Sequence, residues 1–445
     1  MSAAFILPFL IFTNIVFANT LDQTQNFNVN ETFDNFSRRS LTATLRHIGA
    51  NAYFYVDDKF WDSLNPNGKN IVSNGMAKLS DEFDNTIYPR ETLFWGQEPK
   101  PGIDGDNRIV ILLEELKQGH GGYFSTSNGY SRSTAPESNE IEMIVIGADS
   151  VADQYAKTFL AHEFQHLISF NQKELLRNVT DDVWLNELRS EYAITQAGYN
   201  DFFTNSNLET RAKKFFENPF DSLTEWPNVN LDYSLAAIFA EYLAEQYGAD
   251  LLKESLQTNF SGISSINSVL ASRGSERFLD VFAEWLTASY INDNSINSKF
   301  GYTRLGLKNF KAAPQRLTVL SDSTTVFDYF LKPWQVYGHK FMASGSLSSG
   351  GKALKLSPSF NSRLAYADNL GRFSVFDKDF YVNDPEGGLQ YFFIFPINDR
   401  KISDFGKKED ESVLSLSVAF TEKNFWYGLR FVTEKRRFDQ KNKRK

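Results

Sequence analysis

Hydrophobic and polar positions follow one another along this chain in three textures. From Ala43 onward, compact runs of β-forming residues bounded by turn residues predict strands at Ala52 to Val56, Arg108 to Leu113 and Ile141 to Ile146, and the spacing from Ile71 to Ile87 predicts a helix between the first two. From Ser150 to about Gly301 the period becomes helical. Ser150 with Asp153 offers an N-terminal cap, after which Tyr155, Phe159, His162 and His166 fall on one face at steps of four, three and four. Further helices are predicted at about Asp182 to Gly198, Asp232 to Gly248 and Phe278 to Ile291, the first two closing on glycine. Beyond about residue 312 the helical period disappears. Lys352 to Leu356, Gln390 to Phe395, Val413 to Phe420 and Phe425 to Val432 read as short strands, and Leu414, Leu416, Val418 and Phe420 alternate to one side.

The pattern is α+β with an appended β-sandwich. At 445 residues the chain is longer than one core usually organises. The expected organisation is a signal peptide over 1–18, a polar, Asn-rich flexible leader over 19–40, an α+β domain over 41–311, a β-sandwich over 312–433 and a basic tail over 434–445. Ala3 to Phe17 is apolar and Val16-Phe17-Ala18 suits a signal peptidase, so cleavage near Ala18 and a secreted or extracytoplasmic location, periplasm or cell surface, are expected. No Lys or Arg precedes the run; at about 15 residues, with Pro8 inside, it is short for a membrane span.

The formal charge of -9 lacks the positive footprint that phosphate binding needs, so nucleic acid is not expected as a partner, and no integral membrane contact is expected either. The tail from Glu434 carries seven basic and two acidic residues and reads as a solvated terminus. With no cysteine, disulfides, thiol catalysis and thiolate metal sites are excluded. Asn30, Asn35, Asn178 and Asn259 each begin an Asn-x-Ser/Thr sequon.

Chemistry concentrates in Ala161-His162-Glu163-Phe164-Gln165-His166-Leu167. Residues four apart on a helix lie one above the other, so both imidazoles can reach one metal while Glu163 faces the open coordination position. The chain has only five histidines, so the pattern is not an ordinary product of composition. A hydrolytic zinc site needs a third protein ligand from a facing element. Glu187, 21 residues after His166 in Trp184-Leu185-Asn186-Glu187, supplies it. Glu191, one turn on, can accept from the unligated nitrogen of a ligating imidazole, and Asn186 is a second such neighbour. Exchange of the two carboxylates' roles, or an exposed acidic face paired with Arg189, are the other readings of this segment.

His-Glu-Phe-Gln-His followed by Trp-Leu-Asn-Glu resembles the gluzincin peptidases, and within them the hyicolysin-type neutral zinc metallopeptidases. Gly122-Tyr123-Phe124-Ser125, Ser138-Asn139 before Glu142-Met143-Ile144, Asp232-Tyr233 and Phe282-Ala283-Glu284-Trp285 add to the likeness, which covers roughly residues 42 to 305. Leu188 follows the third ligand where the family pattern has glycine, and no long propeptide precedes the region. The resemblance implies a thermolysin-like catalytic domain, an N-terminal mixed sheet followed by a helical subdomain, with one Zn2+ per chain. It implies Glu163 as general base, Tyr233 as hydrogen-bond donor to the developing oxyanion, and an edge strand over Gly121, Gly122, Tyr123 and Phe124 that receives a protein or peptide substrate. Core packing is the other reading of Tyr233.

His120 reads as a loop residue, and Asp104-Gly105-Asp106-Asn107 as a turn, lacking the distant bidentate Glu of a calcium loop. Aminopeptidases of this clan carry a Gly-x-Met-Glu-Asn element that is absent here, so a zinc endopeptidase is the expected enzyme. The competing function is an exported binding or adhesion protein on a degenerate peptidase scaffold, against which Glu163 argues. The β-rich C-terminal region is a candidate for contact with a surface or polymer.

Overall fold

The structure, a computed structural model, describes residues 19–343, 352–384, 387–400 and 409–422. The expected signal peptide, the basic tail and the strand expected at Phe425 to Val432 lie outside them. The described residues form two compact units, one of 19–294, 298–313 and 409, the other of 295–297 with the described parts of 314–400 and 410–422.

The first unit opens with β1 (Thr24–Asn28), β2 (Ser40–Ile48) and β3 (Ala52–Asp57), then α1 (Asp58–Ser63), α2 (Pro66–Glu82) and α3 (Tyr88–Trp95). Next come β4 (Ile109–Glu114), β5 (Gly122–Phe124) and β6 (Met143–Gly147). One six-stranded sheet holds them in the order β1-β2-β3-β4-β6-β5. The pairs β3/β4 and β4/β6 are parallel, whereas β5 runs antiparallel to β6 and forms the sheet's edge. Side chains alternate across it: Tyr53, Tyr55, Val110, Leu112, Met143 and Val145 pack on one face with Phe27 and Leu45, while Phe54, Val56, Ile111, Leu113, Ile144 and Ile146 are buried on the other.

Residues 19–40 are not the flexible leader their polarity suggests. Thr24–Asn28 pairs in register with Ser40–Thr44, and Phe27 is fully buried. Arg38 bonds both Asp34 and Asp57, two carboxylates taken out of water, which fixes the segment to the start of α1.

The helices that follow are α4 (Ala156–Ser169), α5 (Val183–Gln196), α6 (Asn207–Glu217), α7 (Asn230–Tyr247), α8 (Asp250–Leu256), α9 (Gly262–Ser272) and α10 (Phe278–Ile291). The cap expected at Ser150 and Asp153 is not the start of α4. Ser150 Oγ donates back to the Gly147 carbonyl, and the helix begins only at Ala156. Asp232 does serve the start of α7, its carboxylate accepting from the Val229 amide, and Gly248 ends that helix at φ +84°. Phe164 anchors α4 between the rings of Phe83 and Tyr88.

In the second unit, β8 (Thr325–Leu331), β10 (Lys352–Pro358), β13 (Phe380–Val382) and β15 (Ser412–Glu422) form a four-stranded sheet in the order β13-β10-β15-β8. A five-stranded sheet holds β7 (Arg316–Val319), β9 (His339–Met342), β11 (Arg363–Asp368), β12 (Phe373–Phe376) and β14 (Tyr391–Ile397) in the order β12-β11-β14-β9-β7. Both contribute to one core, Leu354, Leu414 and Leu416 from the first, Phe341, Tyr366 and Phe392 from the second. The whole is a mixed α/β architecture.

Candidate metal centre

Two helix stripes meet at the centre of the first unit. His162, Gln165, His166 and Ser169 are spaced at three, one and three along α4, and Asn186, Glu187, Ser190 and Glu191 at one, three and one along α5, so each set lies on one face of its helix. Three atoms converge between the stripes. His162 Nε2 lies 3.1 Å from Glu187 Oε2 and 3.2 Å from His166 Nε2, and the third side, His166 Nε2 to Glu187 Oε2, is 3.4 Å. Donors about 2.0–2.1 Å from a tetrahedral zinc stand about 3.3 Å apart, so the triangle has the size such an ion needs.

The remaining nitrogens face outward from the triangle. His162 Nδ1 is 3.6 Å from Glu191 Oε1, and Glu191 is itself held by Arg211 Nε and Nη2 at 2.9 and 2.7 Å and by Asn207 Nδ2 at 3.0 Å. His166 Nδ1 is 3.1 Å from Ser190 Oγ, which lies 2.6 Å from Gln165 Oε1. Both imidazoles therefore have an outer contact at Nδ1 and present Nε2 inward, the arrangement a divalent cation requires. The Asn186 side chain lies beside His166 and favours its protonated form, and Arg189 bonds Asp181 rather than either glutamate.

The electrostatics are those of a cation site. Burial pushes Glu187 up, but His166 and His162 more than offset it and hold its carboxyl well below the ordinary range. Burial works against a charged His166, yet the Glu187 carboxylate lifts it to about 9. The carboxylate thus favours positive charge beside it, as a cation would supply. Glu163, buried beside the triangle, is pushed up by burial, with the two imidazoles opposing and Glu187 reinforcing.

Gly122 explains how the sheet edge approaches this helix. A Cβ there would sit 2.7 Å from the Val145 carbonyl and 3.1 Å from Glu163 Cγ, and one on Gly121 would lie 2.6 Å from the Phe159 ring. Phe124 packs toward Phe170 on the same side. Tyr123 points the other way, into the core, where its hydroxyl donates to Glu114, so only its backbone faces the edge.

Tyr233 stands near the triangle, its ring 6.1 Å from that of His162 and beneath the Arg211 guanidinium. Burial and then the charges of Glu187, Glu163 and Glu191 keep its proton on. The hydroxyl donates to Asn228 Oδ1 at 2.6 Å. His120 is an exposed loop residue with its ring against Phe33, and Asp104 Oδ1 accepts from the Asp106 amide in a turn. Sequence reasoning missed Ser190, Gln165 and Arg211. The first two repeat the helical spacing of the ligands and were legible on that ground; Arg211 carries no such signal.

No protein-family model matches the chain. Among curated proteins it is 29% identical over 244 residues to the "Neutral metalloprotease ShpI" of Staphylococcus hyicus, covering 48% of this chain and 50% of that protein. The chain thus spans about half the length of that relative. The resemblance to zinc metallopeptidases is borne out by it. A solved metallopeptidase from Bacteroides thetaiotaomicron aligns at 10% identity over 81% of this chain and 65% of its own, with a TM-score of 0.28, too loose to carry an argument.

Proposed function

We propose that this chain, a relative of the neutral metalloproteases, is a secreted zinc-dependent endopeptidase. The convergence of His162 Nε2, His166 Nε2 and Glu187 Oε2 carries the reading. A zinc ion held by these three would supply the Lewis acidity that makes water nucleophilic near neutral pH. Glu163 takes the proton of the attacking water and later gives it to the leaving amine; its raised pKa brings it nearer to working pH, which suits a group that must do both. Tyr233 donates to the developing oxyanion once its hydroxyl leaves Asn228. Substrate backbone adds to the free edge of β5, Gly121 to Phe124, beside Glu163. A chain laid along an edge runs past the site in both directions, which favours cutting within a chain over trimming its end.

Glu191 and Arg211 hold His162 and Tyr233 in place. Export follows from the apolar N-terminal run. Among the described residues no helix is long and apolar enough to cross a membrane. The thermolysin-like arrangement is read into sheet and helices of the first unit, and the two sheets around one core in the second are read as a β-sandwich, whose role would be contact with a surface or polymer.

Purified protein should contain about one zinc per chain and cleave an unstructured protein such as casein. Glu163→Gln should lower cleavage at least about a hundredfold while keeping the metal. Activity surviving that change would remove Glu163 from its role. Zinc bound without hydrolysis of varied peptides would favour the binding-protein reading instead.

A further inference from the structure

The two imidazoles of the triangle are held by different chemistry. A histidine offers Nε2 to a metal only when its proton sits on Nδ1, and that proton needs an acceptor. For His162 the neighbour is the Glu191 carboxylate, which can only accept. For His166 it is the Ser190 hydroxyl, which can accept or donate. If Ser190 donated to Nδ1, the proton of a neutral His166 would move to Nε2 and the nitrogen would be lost as a ligand.

Gln165 removes the ambiguity. Its Nε2 donates to Ser169 Oγ at 2.8 Å, so Oε1 faces Ser190 Oγ at 2.6 Å and can only accept. The single Ser190 proton is thereby drawn to Gln165, and the oxygen's lone pair is turned to His166 Nδ1 at 3.1 Å. Gln165 and Ser190 are fully buried and Ser169 nearly so, which leaves no bulk water to reverse the order. Each proton in the series points the same way: His166 to Ser190, Ser190 to Gln165, Gln165 to Ser169.

We infer that Ser190 and Gln165 are positioning residues: a polarised pair of neutral side chains that sets the tautomer of His166 and so readies its Nε2 for the metal. The inference rests on the zinc-site reading above. Neither residue touches substrate, and Gln165 acts only through Ser190.

The test is zinc affinity of the full chain, measured by competition with a chromogenic chelator, alongside the melting temperature of the metal-free protein. Ser190→Ala should weaken zinc binding about 10- to 100-fold, the usual range for loss of such a neighbour. Gln165→Met, which fills similar space without an acceptor, should weaken it at least about threefold with Ser190 untouched, whereas Gln165→Glu, still an acceptor toward Ser190, should stay within about threefold of the parent. A difference between the two Gln165 variants that persists in a Ser190→Ala background would be the effect of the added charge, whereas one that needs Ser190 is the effect of its proton. Gln165→Met binding zinc as tightly as the parent overturns the inference even if Ser190→Ala fails to fold, as does Gln165→Glu binding as weakly as Gln165→Met. A parent that binds zinc while Ser190→Ala binds it equally well sinks the positioning role alone; a parent that binds none sinks the zinc site first.

Discussion

Glu114 closes β4 with its side chain fully buried, and its ionisation should govern how the first unit responds to alkali. Its Oε2 accepts from the Tyr123 hydroxyl at 3.0 Å, and the protonated acid can donate to the neighbouring Asp34 carboxylate. Burial pushes its pKa to about 8, with the Tyr123 hydroxyl pulling the other way and the Asp34 carboxylate pushing further. In the unfolded chain the group returns to its model value of 4.5. Its stabilising contribution is therefore complete below about 4.5, declines as the unfolded state alone ionises, and is lost once pH passes about 8. At about 1.4 kcal/mol per pH unit, that window is worth a few kcal/mol, about 5 at most. Glu114→Gln keeps an oxygen for Tyr123 and is neutral at every pH. The variant should match the parent near pH 4.5 and exceed it by a few kcal/mol at pH 8, read from urea unfolding midpoints across that range. A difference that does not grow with pH, or a parent that gains on the variant toward pH 8, would refute the reasoning. The site has a stake in this, because Tyr123 also receives the Asn30 amide and so pins the edge strand from behind.

Two further changes probe the contacts around the triangle. Gly122→Ala places a Cβ against the Val145 carbonyl, which is backbone and cannot swing aside; a loss of about 1–3 kcal/mol is expected in thermal or urea unfolding, with lower casein cleavage because Glu163 is the next atom displaced. Unchanged stability and activity would show that the edge strand has room the geometry denies. Arg211→Met leaves the Glu191 carboxylate, 3% exposed, without its bidentate partner, so unfolding measurements should show a loss of about 3–5 kcal/mol, and a loss below about 1 kcal/mol would mean that Glu191 finds compensation elsewhere.

Elements whose period continues over three or more turns could be read in one dimension. Phe278–Ile291 matches its expected bounds to the residue, because its apolar spacing runs unbroken over nearly four turns. Short elements could not. Thr24–Asn28 buries a single large side chain, Phe27, so its polar neighbours mimic a leader, and only the pairing with β2 shows that they line a solvent-facing edge. The helix α8, seven residues long, went unread for the same reason of length. Ser150 misled because a capping residue type is also a turn residue type, and here the hydroxyl bonds backward.

The site divides along the same line. A helix face is a local property, so the stripe 162, 165, 166, 169 and the stripe 186, 187, 190, 191 were each legible, down to residues whose roles went unassigned. Which stripe meets which is not local. The pairing of α4 with α5 puts Ser190 on His166 and Glu191 on His162, separations of 24 and 29 residues that no period encodes. Arg211 lies a further helix away, and only the folded arrangement brings it over Tyr233 and onto Glu191 at once. The reacting groups could be named from the sequence because their chemistry demands particular residue types at fixed spacing. Of their supports only Glu191 could, from its place one turn beyond Glu187; a hydroxyl, an amide or a guanidinium qualifies for that work only by where packing places it.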